Sequence, residues 1–412
     1  MDIAIYTLTS ELHDEKAVTA ATQEFLNSLD IDYVFRGDDY SDYGSHALNL
    51  IFVRTGGTEG IFARLLPQLL KVGGGSSHPL YLLTSGKSNS LAASMEILSY
   101  LQQQGLHGEI IHGSPAYVSA RIHLLETVQN ARRRLQGMRL GIIGKPSDWL
   151  IASTFDREAV RERLGVDLVD IPMSELIDAI QERSQETATL GSVAHYGGDT
   201  IYKALKGIVE RHSLQGFTLR CFDLLTAVRD TGCMALARLN AEGLVAGCEG
   251  DVPAMLSMMI TRVLTGVSGF QANPAFIDTE KGEMVFAHCT IPLDMVERYE
   301  TDTHFESGIG QAIRGFMKEG DITIFKVSGD MKRSFVAEGQ LVRNETKPDL
   351  CRTQQRIRLC NACTTSIAPG GIPADTPCQA DYFLTQPIGN HHIIMPGHHK
   401  EELLCLMKSI LI

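Results

Sequence analysis

Leu48-Asn49-Leu50-Ile51-Phe52-Val53, running into Arg54-Thr55-Gly56-Gly57, decides the fold class. A short, nearly continuous apolar run that stops at paired glycines has the length and composition of a strand buried on both faces. A helix follows from Glu59 to Leu70. The pattern then repeats: Pro79 to Leu83 reads as a strand, Thr84-Ser85-Gly86-Lys87 as its loop, and Ser90 to Gln104 as the next helix. Upstream, Ile3-Ala4-Ile5-Tyr6 is another short apolar run, and a helix is expected from about Asp14 to Leu29. Strands alternating with helices predict a parallel α/β domain. In such domains ligands collect at the carboxyl ends of the strands, where these Gly, Ser and Thr loops fall.

Further along, Pro115 to Leu135 reads as a helix ending in Arg132-Arg133-Arg134, three cations that complement its dipole from a solvated C-terminus. After Gln136-Gly137 the pattern restarts with the strand and loop Met138-Arg139-Leu140-Gly141-Ile142-Ile143-Gly144-Lys145-Pro146-Ser147-Asp148-Trp149. It continues through Val166 to Ile171, a helix at Ser174 to Gln185, Phe217 to Arg220, and long helices at Thr200 to His212 and Val252 to Leu264. Past Gly266 the segments shorten and turn β-like, as in Glu283 to Cys289 and Asp321 to Val327, separated by Gly, Asp, Asn and Pro. Three domains are therefore expected: an N-terminal α/β domain over 1–136, a central α/β domain over 137–266, and a β-rich, barrel-like domain over 267–412. The last ends in an amphipathic helix from His399 to Ile410.

Composition narrows the function. The chain has 412 residues, 44% hydrophobic and 21% charged, which excludes disordered, collagenous and coiled-coil classes. A net charge of −12 argues against sequence-independent nucleic-acid binding, which relies on Lys and Arg. No apolar run reaches the ~18 residues of a membrane helix. The opening MDIAIYTLTSELHDE puts acid where a signal peptide carries Lys or Arg, so a cytoplasmic protein is expected. Nine cysteines, an odd number, read as reduced and mostly buried thiols. Gly56-Gly57-Thr58-Glu59-Gly60 reads equally as a ligand-facing loop or a plain turn. Gly73-Gly74-Gly75-Ser76-Ser77 reads as a flexible surface loop. Neither has the Walker or dinucleotide spacing. Cys360-Asn361-Ala362-Cys363 lacks a second matching pair, and Cys351 and Cys378 are too scattered to imply a zinc site.

The strongest chemical signal is a set of acids and histidines in the second half. Arg220-Cys221-Phe222-Asp223 ends an apolar strand with an acid. Gly247-Cys248-Glu249-Gly250-Asp251-Val252-Pro253 places two acids before a long apolar helix, where Asp251 also has the position of an N-cap and Pro253 that of a first-turn proline. Ala287-His288-Cys289-Thr290 and Gly389-Asn390-His391-His392 follow, with His398-His399 beyond. Two Asp and one or two His suit a hard divalent cation such as Mn²⁺ or Mg²⁺. The lone tryptophan, Trp149, lies at the end of the strand that opens the second α/β pattern. Its indole can lie against the face of a sugar ring, with Asp148 accepting from a hydroxyl, or can pack between domains.

The strings CFDLL, AGCEGDVPAMLSMMITRVLTG, AHCTIP and GNHHI, with LTSGKSNSLAASMEILSYLQQQG and IIGKPSDWLIAS before them, carry a resemblance. The chain, from about residue 50 to its end, resembles the L-fucose isomerase and L-arabinose isomerase superfamily, particularly its shorter fucose-isomerase-like branch. The resemblance implies two Rossmann-like domains, a barrel-like third domain, one Mn²⁺ in a cleft, and interconversion of an aldose and a ketose of a small sugar. It implies Asp223, Asp251 and one histidine of the His391-His392 pair, taken as His392, as metal ligands, the two acids doubling as the proton-transfer pair. The family carries Glu where this chain has Asp223. On the same reading Glu249 orients the ligands, and His288 and His391 stand near sugar hydroxyls. A homo-oligomer is implied, with the loops bearing Thr55, Glu59, Ser85 and Asn89 reaching a neighbour's substrate. A sugar-binding or regulatory protein that kept the fold and lost turnover is the alternative.

Overall fold

The computed structural model describes residues 2–72, 79–189, 198–360, 365–367 and 380–411. The chain forms two compact units, residues 1–133 and 134–411.

The first unit is a five-stranded parallel sheet of β1 (Ile3–Leu8), β2 (Val34–Gly37), β3 (Leu48–Val53), β4 (Leu80–Leu83) and β5 (Gly108–Ile111), in the order β2-β1-β3-β4-β5. The near-continuous apolar runs are the inner strands β1, β3 and β4, buried along their length. Helices Glu15–Asn27, Glu59–Val72 and Ser90–Gln103 connect strands of this sheet and Pro115–Leu135 follows β5; the first is capped by Asp14, whose carboxylate accepts from the Ala17 N–H. Within the Arg132-Arg133-Arg134 run, Arg132 is buried rather than solvated: it faces the sheet, while only its neighbours reach the surface.

The second unit joins a four-stranded parallel sheet to a barrel. The sheet comprises β6 (Arg139–Ile143), β7 (Asp167–Ile171), β8 (Gly216–Leu219) and β9 (Val245–Cys248), in the order β7-β6-β8-β9. Chain order reverses between β6 and β8, so a crevice is expected beyond their carboxyl ends. The remaining strands are β10 (Phe270–Asp278), β11 (Glu283–His288), β12 (Arg298–Asp302), β13 (Ala312–Phe316), β14 (Gly320–Val327), β15 (Ser334–Glu345), β16 (Thr353–Leu359), β17 (Thr365–Ile367) and β18 (His392–Pro396). Antiparallel pairing in the order β14-β18-β10-β11-β16-β15 returns to β14 and closes a six-stranded barrel. Phe270, Phe286, Ile324, Phe335, Ile357 and Ile394 belong to its core. The fold is α/β with a β-rich C-terminal region.

The helix Val252–Thr265 packs on β8 and β9 on one side and on β14 and β18 on the other. This double burial explains why the sequence VPAMLSMMITRVLT is apolar nearly all round. It also brings the end of the parallel sheet and one end of the barrel together. The Gly73–Ser77 loop, the C-x-x-C beyond Cys360, the Pro369–Pro377 loop and Cys378 lie outside the described residues.

Candidate metal centre and active site

The loop after β9 is the pivot. Glu249 adopts φ +62°, a left-handed conformation uncommon for a residue with a side chain, and Gly250 follows at φ +70°. A Cβ on Gly250 would stand 2.5 Å from the Lys145 carbonyl oxygen, so only glycine fits there. The turn is pinned from three sides. The Ser147 N–H donates to the Glu249 carbonyl at 3.0 Å, the Gly250 N–H donates to Leu219 O at 3.0 Å, and the Gln271 side chain clamps both backbone groups of Cys248. A left-handed turn held this firmly aims one side chain, at the conformational cost usual for functional loops.

That side chain is the Glu249 carboxylate. One oxygen lies 3.5 Å from His288 Nε2 and 3.5 Å from His391 Nε2; the other accepts from the Trp149 indole N–H at 2.8 Å. Glu249, His288 and His391 are all buried, and one ligand atom from each falls within 4.8 Å of the others. Three donors about 2 Å from one ion would have this mutual spacing. His391 Nε2 is buried without a hydrogen bond, an orphan that a cation would satisfy. One carboxylate and two imidazoles suit Mn²⁺ and later divalent ions better than Mg²⁺, which prefers oxygen. The cluster can hold a divalent metal.

Asp251 stands behind His391. It caps the Val252–Thr265 helix, accepting from the Ala254 N–H at 2.8 Å, and its other oxygen takes the His391 Nδ1 proton at 2.8 Å. This fixes the tautomer and turns Nε2 toward Glu249, an orientation metal-bound histidines commonly receive from a carboxylate. Lys326, wholly buried, lies 3.7 Å from Asp251 Oδ1. Burial alone would raise the Asp251 carboxyl, but Lys326 and His391 bring it down to about 2. Burial likewise raises the Glu249 carboxyl, and the two histidines overcome this and hold it far below the usual range. His288 is set by its own Nδ1, which shares a hydrogen bond with the Thr290 hydroxyl at 3.1 Å.

The other expected residues are arranged differently. His392 opens β18 one residue after His391, and its ring has different partners. Its Nε2 meets the Tyr382 hydroxyl at 2.9 Å and its Nδ1 donates to Asn390 O at 3.1 Å, so neither nitrogen faces the cluster. Burial, then Lys326, pushes its imidazole down to about 3. Asp223 begins a short helix and is held by Arg220 at 3.0 Å, the same guanidinium that grips Asp148 at 2.8 Å. Asp251, expected as a ligand, meets His391 and Lys326. The sequence reading expects Asp223, Asp251 and His392 at the ion and gives Glu249, His288 and His391 orienting and substrate roles; the structure gathers these last three into one group.

Trp149 is half exposed on the loop after β6, edge-on to Phe222 with centroids 4.8 Å apart. Its N–H is occupied by Glu249, leaving the ring face for a ligand. In the first unit, the loops after β3 and β4 touch, the Gly56 N–H donating to Ser88 O at 2.7 Å. Thr55 is buried there and accepts from the Ser10 N–H at 3.0 Å. Glu59 and Ser85 are partly exposed and Asn89 is exposed, at φ +58°. The described cysteines are free thiols, and Cys221 and Cys248 approach to 3.1 Å between sulfurs.

No family model matches the chain. It is 24% identical over 264 residues to proteins named sulfoquinovose isomerase from Priestia aryabhattai and Priestia megaterium. It is 22% identical over 263 residues to another of that name from Alkalicoccus urumqiensis. Each match covers 58% of this chain and 59% of the relative's length.

Proposed function

We propose that the chain is a metal-dependent aldose–ketose isomerase of a small sugar, related to the fucose-isomerase-like enzymes and working through a cis-enediol. The observation that carries this is the buried Glu249–His288–His391 cluster with its orphaned His391 Nε2, at the carboxyl ends of β9 and β11. The likeness to sulfoquinovose isomerases supports the same reaction class and makes sulfoquinovose the first sugar to test.

Glu249, His288 and His391 would hold the cation, and Asp251 would orient His391. A bound divalent cation supplies Lewis-acid polarisation of adjacent sugar oxygens. Isomerisation then needs a proton taken from one carbon and returned to its neighbour. Glu249 is the carboxylate best placed for the first transfer, its second oxygen steadied by Trp149. Asp223 is the second proton carrier in this reading, held in place by Arg220 until substrate arrives. Trp149 offers its exposed face to the ring and Asp148 accepts from a hydroxyl. Exposed Trp149 and Ile151 on one loop support an oligomer in which a neighbour, through the loops with Glu59, Ser85 and Asn89, covers the site.

The hold of Arg220 on Asp223 favours one second reading, a sugar-binding protein without turnover. An aldose panel including sulfoquinovose, L-fucose and L-arabinose, with Mn²⁺ present, separates the two. Ketose formation that disappears in Glu249→Gln is the expected result. Tight sugar binding with no ketose from any pentose, hexose, deoxyhexose or sulfonated hexose would establish the second reading.

A further inference from the structure

Residues 152–154, 326, 328–330, 333 and 387–389, with Pro253, line an open cavity of ≈ 250 Å³. Lys326 is one of its walls. The side chain is wholly buried, yet its Nζ makes no hydrogen bond; the 3.7 Å approach to Asp251 is an ion pair too long for one. An ammonium has three donors, and a buried one with none used is costly. Arg333 stands across the cavity, one nitrogen donating to Gln386 O at 2.6 Å. Ser153 and Thr154 add hydroxyls.

Two acids bear on this space, and both are engaged. Asp251 serves His391 and the Ala254 N–H as well as facing Lys326. Asp330 accepts from the Ser328 hydroxyl at 2.6 Å and the Lys332 N–H at 3.1 Å. Close packing of Gly389 on Ser153, where an added Cβ would stand 3.1 Å from the hydroxyl, keeps the wall free of side-chain bulk.

We infer that this cavity is a binding site for a tetrahedral oxoanion, a phosphate, sulfate or sulfonate group, received by Lys326 Nζ and the Arg333 guanidinium with hydroxyls completing its shell. Such a group carries several acceptor oxygens, matching the unused ammonium donors and the Arg fork. It can arrive as a free ion or as the anionic substituent of a sugar. The site does not depend on the isomerase reading.

Calorimetric titration of the full-length chain with inorganic phosphate, sulfate, glucose 6-phosphate and glucose tests this. Phosphate or sulfate is expected to bind once per chain, about tenfold more weakly in Arg333→Gln and not measurably in Lys326→Met. Arg333 is partly exposed, so its variant keeps the test open if Lys326→Met fails to fold. Glucose 6-phosphate binding tighter than phosphate, with glucose alone silent, identifies an anion carried on a sugar; equal affinity of phosphate and glucose 6-phosphate identifies the free ion. No saturable binding of any of the three anions, or undiminished binding in Arg333→Gln, overturns the inference. Ketose formation from a neutral sugar by the same preparations is a separate readout, so loss of one property is distinguishable from loss of the other.

Discussion

Asp251 fulfils two readings of one residue. It caps a helix, as its place before Val252-Pro253 predicts, and the same carboxylate is the buried partner of His391 and Lys326. Asp251→Asn should lower Mn²⁺ affinity about 10–100-fold, since the histidine loses its orienting acceptor. It should also destabilise the fold by about 3–5 kcal/mol, because the Lys326 ammonium is left buried without its counter-charge. Adding Lys326→Met should return most of the stability and none of the metal affinity, as read by urea unfolding and Mn²⁺ titration. His391 makes a pH prediction. Burial would lower its imidazole, but Glu249 and Asp251 on either side raise it from 6.5 to about 9. A raised group adds stability that is complete below its unfolded value and fades as pH climbs through the folded one. The metal-free protein should therefore lose unfolding free energy between about pH 6.5 and 9. Cation uptake below pH 9 should release a proton, and affinity should rise with pH over the same range. A flat stability curve with proton-free metal uptake would count against the charged pair.

The Cys248–Asp251 turn carries the site as a piece of backbone. Gly250→Ala forces a side chain into a left-handed position against the Lys145 carbonyl, and should cost about 1–3 kcal/mol while displacing Glu249. Thermal unfolding together with Mn²⁺ affinity checks both, and unchanged metal binding would mean that the turn does not aim the ligand. The elements around it were legible to different degrees. Leu48–Val53 and Pro115–Leu135 match the sequence reading, because an apolar run between turn residues, or a long uninterrupted helical pattern, is a local signal. Val34–Gly37 is short, half exposed and at the sheet edge, so it carries no apolar run to find. The helix Cys233–Ala241 starts after Gly232 with no capping side chain, and its start was silent for that reason. In the His391-His392 pair, the His391 ring meets the carboxylates and the His392 ring meets Tyr382. Which ring meets which depends on the neighbours β10 and β14, far away in sequence. That non-local fact is not written in the pair itself, and the structure puts His391 at the cluster.

The parallel sheets and the β-rich region were readable from segment patterns, whereas barrel closure was not: it rests on β14 pairing with both β15 and β18. The division of residues 134–411 into a central and a C-terminal domain near residue 266 stands as a proposal. The shared Val252–Thr265 helix argues that the two parts unfold together, which a single urea transition for that unit would support and two separate transitions would refute. Assembly is open to measurement as well: a hydrodynamic mass well above 45.2 kDa at micromolar concentration is expected, and a monomer would remove the neighbour from the proposed site. The claim on which the functional reading turns is that Glu249, His288 and His391 hold a divalent cation. Anomalous diffraction at the manganese edge from Mn²⁺-soaked crystals tests it most directly. The account predicts one peak per chain, about 2.0–2.2 Å from a Glu249 oxygen and from the Nε2 atoms of His288 and His391. A peak held instead by Asp223 or His392, or no density beside Glu249 at saturating Mn²⁺, would contradict it.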